Sequence, residues 1–116
     1  HVLNFKIDQG TDSHLSFSFN DYDSPLDLTG YEAAMQIRSF YNSSTAVDTL
    51  TTKNGRLILD VEKSRVTAIF PNSKTRKYPP RRCVYDMELF SSDGKIYRIL
   101  EGQIFISAEV TRVNSL

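Results

Sequence analysis

Apolar and polar residues alternate with a period of two along most of this chain. Residues 15–19 read Leu-Ser-Phe-Ser-Phe, so the three large apolar side chains fall on one side and both serines on the other. Successive side chains of a β-strand point to opposite faces of a sheet, and the pattern is therefore typical of a half-buried strand. No segment strongly indicates a helix, which leaves an all-β fold as the prediction.

The alternation recurs in short runs that are separated by turn residues. Residues 31–37 are interpreted as a strand, although their Ala-Ala-Met-Gln centre would also tolerate a helix. Asn54-Gly55 is a hairpin signal, and residues 47–50 before it are compatible with a short edge strand. A later strand is expected to point four side chains inward: Cys83, Tyr85, Met87 and Leu89. About eight or nine short strands at this spacing predict a β-sandwich or barrel.

Four glycines are predicted to have structural roles. Gly10 and Gly30 lie in turn-like segments, and Gly94 lies in the Ser-Ser-Asp-Gly-Lys turn of a hairpin, where positive backbone angles are needed. Gly102 interrupts the alternation of a long final run, so we expect a β-bulge or bend at this position.

The length of the chain, 116 residues, suits one domain with one hydrophobic core. We therefore expect residues 1–116 to form a single β-sandwich domain. Within it we expect a flexible or partner-ordered segment at 41–53, a basic loop at 71–82 and a C-terminal tail at 108–116.

Charge and cysteine usage narrow the possible partners. Lysine plus arginine equals aspartate plus glutamate at 14 each, so the formal net charge is zero and predicts no general attraction to nucleic acid or an acidic membrane. No apolar run approaches the roughly 20 residues of a membrane span, and residues 1–10 lack the pattern of a signal peptide. The single Cys83 excludes an internal disulfide and fits a reducing compartment. We expect a protein made in the cytoplasm and either used there or carried away inside an assembly.

Residues that could carry chemistry do not form a recognisable constellation. His1 and His14 have no histidine at metal-ligand spacing, and Cys83 is interpreted as a core residue rather than a nucleophile. One acidic cluster lacks the closing glutamate of a calcium loop and is interpreted as turn residues: Asp21, Asp23 and Asp27. We therefore expect no enzymatic activity, no catalytic residue, no metal and no cofactor.

The segment at 74–82, Lys-Thr-Arg-Lys-Tyr-Pro-Pro-Arg-Arg, crowds five cations together without an acidic residue. It is compatible with a solvated loop that keeps a sheet edge soluble or with a docking surface. An acidic protein is favoured over nucleic acid as the partner, because no second basic, aromatic-lined strand face accompanies the segment. The candidate docking residues are Lys74, Arg76, Lys77, Tyr78, Arg81 and Arg82.

Phrases spread over nearly the whole chain carry a family resemblance. In order, they read FKIDQGTD, LSFSF, PLDLTGYEAAMQIRS, NGRLILD, VYDMEL, YRILEGQIFIS and EVTR. The ordered set resembles small virion proteins of tailed bacteriophages, common in cyanophages and prophages, with a QG turn, a DLTGY turn, a YDLEL-like strand, an LEG bend and a closing SPEVTR. This chain differs in the last of these, where Ala108 replaces the usual proline.

The resemblance implies an immunoglobulin-like antiparallel β-sandwich, present in many copies on a virus particle and without catalytic residues. Its partners would be other virion proteins, and we expect neither nucleic acid nor a membrane as a partner. The leading expectation is a structural component of the tail, baseplate or fibre-attachment region, and the alternative is a capsid decoration (cement) protein. An alternative of another class is a carbohydrate- or nucleic-acid-binding module that uses the basic segment or the aromatic residues Phe40 and Tyr41.

Overall fold

The fold is described by a computed structural model for residues 1–19, 26–113 and 115–116. Eight strands and one short helix are present in this part of the chain. Their order is β1 (Phe5–Asp8), β2 (Ser13–Ser18), β3 (Glu32–Arg38), β4 (Asp48–Thr51), β5 (Leu57–Asp60), β6 (Arg65–Phe70), α1 (Asn72–Thr75), β7 (Arg82–Phe90) and β8 (Ile96–Ser107). The predicted all-β class is confirmed.

The strands form two sheets that share one hydrophobic core, which makes the fold a β-sandwich. The five-stranded sheet has the order β1-β8-β7-β3-β4, and the three-stranded sheet has the order β2-β6-β5. All neighbouring strands are antiparallel except β1 and β8, which run parallel. The β-sandwich is confirmed, but the expected antiparallel pairing is wrong for β1 and β8. Side-chain alternation is the same in both kinds of ladder, so the sequence pattern does not report strand direction.

The core is built from alternate residues of the central strands. In β3 and β7 every second side chain is buried, as the burial patterns of both strands show. The predicted inward face of β7 is confirmed, since all four of its residues are buried: Cys83, Tyr85, Met87 and Leu89. The outward residues of β7 and β8 therefore form a continuous outer surface on the five-stranded sheet.

The segment at 41–53 is ordered by its own chain over part of its length. β4 pairs with β3, and the Val47 amide donates to the Ile37 carbonyl at 2.6 Å. The expectation of a flexible or partner-ordered segment is therefore wrong for residues 47–51, because the backbone groups on one side of β4 are paired with β3. The edge strand proposed for this region is confirmed.

The C-terminal tail contains no strand in its described residues, 108–113 and 115–116.

The Asn54-Gly55 turn does not close a hairpin. It follows β4 of the five-stranded sheet and precedes β5 of the three-stranded sheet, and these strands are not paired with each other. Gly55 has the positive φ of 79° that the turn signal predicts. The turn chemistry is thus as expected, but the turn carries the chain from one sheet to the other.

Three of the four predicted glycine roles are confirmed by backbone angles. Gly10, Gly30 and Gly94 have φ values of 82°, 78° and 89°, and each lies in a turn. A side chain at these angles is strained, which explains glycine at these positions.

The predicted bulge at Gly102 is wrong. The register of β7 and β8 shifts between Met87, which pairs with Leu100, and Glu88, which pairs with Arg98. The extra residue is Ile99, three positions before the glycine. Gly102 instead allows a close backbone approach, because a Cβ atom there would overlap the carbonyl oxygen of Leu3.

Candidate docking surface

The basic segment at 71–82 is not simply a loop. It begins with α1, and the turn between β1 and β2 holds this helix in place. The backbone amide and side-chain amide of Asn72 donate to Asp12 Oδ1 at 2.7 and 3.0 Å. The Thr75 hydroxyl donates to the Thr11 carbonyl at 2.8 Å. These bonds fix the start of the segment to the body of the sandwich.

Tyr78 anchors the middle of the segment inside the fold. Its side chain is only 2% exposed, and its hydroxyl donates to Asp48 Oδ2. The Gln9 side-chain amide donates to the Tyr78 carbonyl at 2.9 Å. The expectation that Tyr78 belongs to a docking surface is therefore wrong: the ring is buried because it carries a large apolar area and a hydroxyl that finds an internal acceptor.

Asp48 and Arg56 complete the cluster around the Tyr78 hydroxyl. The guanidinium donates two hydrogen bonds to the carboxylate, from Nη1 to Oδ1 at 2.8 Å and from Nη2 to Oδ2 at 2.7 Å. Arg56 Nε also donates to the Ile69 carbonyl at 3.2 Å, on the three-stranded sheet. The cluster thus links β4, β6 and the basic segment.

The electrostatics of this cluster indicate a structural role. Burial raises the pKa of the Asp48 carboxyl, but the hydrogen bonds from Arg56 and Tyr78 outweigh burial and leave the pKa below its ordinary value. Burial, followed by the hydrogen bond to Asp48, raises the pKa of the Tyr78 hydroxyl. Asp48 therefore stays ionised and Tyr78 stays protonated at neutral pH, so neither group is prepared to exchange a proton there.

The remaining five candidate residues are exposed to solvent. Their basic side chains surround α1 and the start of β7: Lys74, Arg76, Lys77, Arg81 and Arg82. Within residues 1–19, 26–113 and 115–116, none of them lies within 4.0 Å of a carboxylate oxygen. Arg65 and Arg98, in contrast, pair with acids of their own sheets. The segment therefore carries a surplus of positive charge that the described fold does not neutralise.

Arg81 brings the basic segment into contact with an exposed aromatic residue. Its guanidinium carbon lies 4.1 Å from the centre of the Phe40 ring, which is the geometry of a cation–π contact. The Arg81 carbonyl accepts a hydrogen bond from the Ile106 amide at 2.9 Å, so its backbone is fixed against β8. Phe40 and Tyr41 are 55% and 86% exposed. The fold thus joins the basic segment and the aromatic pair, which the sequence presented as separate features.

A cavity lies beside the basic segment, at the start of the C-terminal tail. It has a volume of about 370 Å³ and is lined by Gln9, Arg76, Pro80, Ala108, Glu109, Arg112 and Val113. The Glu109 amide donates to Gln9 Oε1 at 2.9 Å, and this bond holds the tail against the β1–β2 turn. Arg112 adds a cation that sequence inspection did not associate with the segment.

The other polar candidates do not come together. His14 is exposed on β2, and Cys83 is buried on β7, where burial raises the pKa of the thiol. Asp27 accepts a hydrogen bond from the Thr29 amide at 3.0 Å, as expected of a turn residue, whereas Asp21 and Asp23 lie outside the described residues. In the part of the chain that the structure describes, no three His, Cys, Asp or Glu side chains are placed to hold a metal ion.

The described part of the chain also has no helix long and apolar enough to cross a membrane.

By its fold and its surface, the protein belongs to the class of two-sheet β-sandwiches. It carries a basic, partly aromatic surface at one end of the larger sheet. No protein-family model and no curated protein matches the chain. Among solved structures, CopC from Methylosinus trichosporium OB3b is similar with a TM-score of 0.42 and 13% sequence identity, over 70% of this chain and 67% of that one. This similarity is too distant to support any statement about function.

Proposed function

We propose that this protein is a non-enzymatic structural component of a tailed-phage virion that docks onto neighbouring subunits in the tail, baseplate or fibre-attachment region. The ordered phrases that resemble small virion proteins support the virion assignment. The observation that carries the docking role is the group of five exposed cations without a carboxylate partner in the described residues. These cations project from a segment whose backbone is fixed by Asp12, Thr11 and Gln9.

A rigid carrier favours docking because the partner does not have to order the segment when it binds. Ordering flexible side chains and loops on association costs free energy, and a segment fixed beforehand avoids much of this cost. Unpaired surface cations also steer an acidic partner during the encounter and reject a basic one. The same surface would also serve a capsid decoration protein. The capsid surface therefore remains the alternative location in the particle.

A carbohydrate-binding role is the second candidate. The outer face of the five-stranded sheet carries a groove of about 810 Å³, and Tyr41 lines it together with Gln36, Arg38, Glu88 and Gln103. Amide, guanidinium and carboxylate side chains beside an exposed aromatic ring offer hydrogen bonds and a stacking platform to a polar ligand. Docking is favoured because many of the groove's charges already pair with each other, as Arg98 does with Asp86 and Glu101.

Charge reversal tests the proposed function. We expect the double substitution Lys77→Glu and Arg81→Glu to reduce incorporation into particles by about tenfold or more, because it places like charges against an acidic partner. Thermal unfolding of the isolated protein should change little, since both side chains are exposed and surface substitutions usually shift stability by less than about 0.5 kcal/mol. Incorporation is measured by quantitative mass spectrometry of purified particles.

The matched control is Lys53→Glu with Lys63→Glu. These lysines are also exposed and lie in the turns after β4 and β5, so the change in net charge is identical. The control should be incorporated like the unmodified protein. Normal incorporation of the Lys77 and Arg81 variant would exclude the basic segment as a docking surface.

A further inference from the structure

The basic segment continues onto an exposed aromatic residue of β8. Phe105 pairs in register with Lys6 of β1 on one side and with Arg82 of β7 on the other. Paired residues of neighbouring strands point to the same face, so the three side chains form one row across the sheet. The buried neighbours Ile104 and Ile106 show that this row is on the outer face, where Phe105 is 53% exposed.

The aromatic pair of the β3–β4 connection lies against the same region. Phe40 contacts Arg81, which directly precedes Arg82. Tyr41 lines the outer groove together with Val84 and Gln103, the next outward residues after Arg82 on β7 and before Phe105 on β8. The three aromatic side chains and the two arginines are therefore parts of one surface, which we term the aromatic–arginine patch: Phe40, Tyr41, Arg81, Arg82 and Phe105.

The composition of the patch differs from that of the rest of the outer face. Further along the strands the outward charges compensate each other. Arg98 Nε lies 3.4 Å from Asp86 Oδ2, and Arg98 Nη1 lies 3.4 Å from Glu101 Oε2. In the patch the arginines have no carboxylate partner among the described residues, and the apolar rings face solvent. A single exposed phenylalanine needs no explanation, but aromatic residues clustered with arginine are the typical composition of the energetic centre of a protein–protein interface.

We propose that the aromatic–arginine patch is the centre of the docking surface, and that its occupant is an acidic segment of a different virion protein carrying at least one large apolar side chain. The inference deepens the proposed docking function and rests on it. The apolar side chain would cover the rings of Phe40 and Phe105, and carboxylates would pair with Arg81 and Arg82. Charge complementarity selects this occupant, because two arginines without acidic partners lie beside the rings.

A two-fold symmetric dimer of this chain fits the patch poorly. In a two-fold symmetric dimer the same patch lies on both sides of the interface, so Arg81 and Arg82 would face each other across it. Like charges brought together in this way oppose association. A basic or neutral partner would leave the same arginines unpaired.

A peptide titration tests the occupant directly. The probe is a synthetic peptide in which glutamate alternates with phenylalanine and leucine, added to ¹⁵N-labelled protein and followed by NMR. We expect the amide signals of Phe40, Arg82 and Phe105 to shift. A peptide with serine in place of the apolar residues should bind about tenfold more weakly, since it lacks the anchor. A peptide with lysine in place of glutamate should not bind.

Several results would overturn the inference. Equal binding of the serine peptide would show that charge alone is recognised. Shifts confined to other residues, or no shifts at all, would exclude the patch. Tighter binding of a single-stranded oligonucleotide than of the acidic apolar peptide would assign the surface to nucleic acid. A concentration-dependent dimer in sedimentation that Phe105→Gln abolishes would assign it to a second copy.

Substitutions separate this inference from the proposed function. Phe40→Gln and Phe105→Gln should each weaken binding of the acidic apolar peptide by about tenfold. Both substitutions should also reduce incorporation of the protein into particles. The control Ile58→Gln removes a side chain of similar exposure, 51%, from β5 of the other sheet. It should change neither peptide binding nor incorporation. If the Lys77 and Arg81 reversal blocks incorporation but the phenylalanine variants do not, the aromatic role fails and the docking function stands. If neither set affects incorporation, docking through the basic segment fails as well.

Discussion

Tyr78 connects the basic segment to the body of the fold through its hydroxyl and its carbonyl. Its hydroxyl reaches Asp48 and its carbonyl accepts from Gln9, so one residue ties three parts of the chain together. The sequence placed Tyr78 among exposed cations because its neighbours are charged. Asp48 is 30 positions away, and nothing in the local sequence pattern predicts that the fold brings the two side chains together.

We predict that Tyr78→Phe destabilises the protein by about 1.5–3 kcal/mol at pH 7, the usual contribution of a hydrogen bond to a charged group. The ring remains and continues to fill its place, so the loss reports the hydroxyl alone. Chemical denaturation measures the free energy of unfolding. Tyr41→Phe, on an exposed side chain, is the matched control and should leave this free energy unchanged.

The same variant carries an expected pH dependence. The pKa of Tyr78 is raised in the folded protein, whereas an unfolded tyrosine ionises near about pH 10. Above that pH the unfolded chain binds fewer protons than the folded one, so stability falls as the pH rises. The difference between unmodified protein and Tyr78→Phe should therefore shrink above about pH 10. A constant difference up to pH 11 would contradict the raised pKa of Tyr78 in the folded protein.

β8 shows which element properties the sequence could and could not reveal. Alternation predicts the length of the strand and its inward residues near the end. Turn chemistry predicts the hairpin turn at Gly94. The position of the bulge does not, because Ile99 and Leu100 are both apolar and both buried, and the break in alternation becomes evident only at the glycine that follows. A glycine inside a strand indicates either a bulge or a close backbone approach, and only the register distinguishes them.

We predict that Gly102→Ala displaces the N-terminal segment from β8. The added Cβ would overlap the Leu3 carbonyl oxygen, which also accepts a hydrogen bond from the Tyr85 hydroxyl at 2.6 Å. Overpacking of this kind costs about 1–3 kcal/mol. Amide hydrogen exchange checks the local effect, because the Leu3 amide donates to the Glu101 carbonyl and should lose protection.

Gly94→Ala separates this effect from backbone strain. Gly94 has a positive φ of 89° but no atom within 4 Å of an added Cβ, so its substitution strains only the turn. It should leave the protection of the Leu3 amide unchanged. Full protection of Leu3 in Gly102→Ala would show that the close approach is not the reason for glycine at this position.

At the scale of the whole molecule, a net charge of zero conceals an uneven distribution. The cations around α1 and the start of β7 lack acidic partners in the described residues, while the outer face of the larger sheet carries paired charges. The sequence predicted the basic segment because its residues are contiguous. It did not predict the addition of Phe40 and Phe105, because those residues come from other strands and connections, and only the sheet order brings them to one surface.

We predict that purified particles contain about six to a few dozen copies of the protein, the number expected if the subunits form a few closed rings. Quantitative mass spectrometry against the major capsid protein provides the count. Copy numbers on the order of hundreds would assign the protein to capsid decoration instead. Absence from the particle would reject the virion function and restore the binding-module alternative.

The parallel pairing of β1 and β8 has a mechanical consequence. Bonds along this pair extend from the Leu3 amide, which donates to Glu101, to the Gln9 amide, which donates to Ser107. Because the strands run in the same direction, tension between the start of β1 and the end of β8 slides them past each other and loads all of these bonds at once. An antiparallel terminal pair pulled in the same way would open one bond at a time. The sandwich is therefore built to bear shear along its longest strand, and its resistance to pulling depends on its unfolding rate rather than on its equilibrium stability.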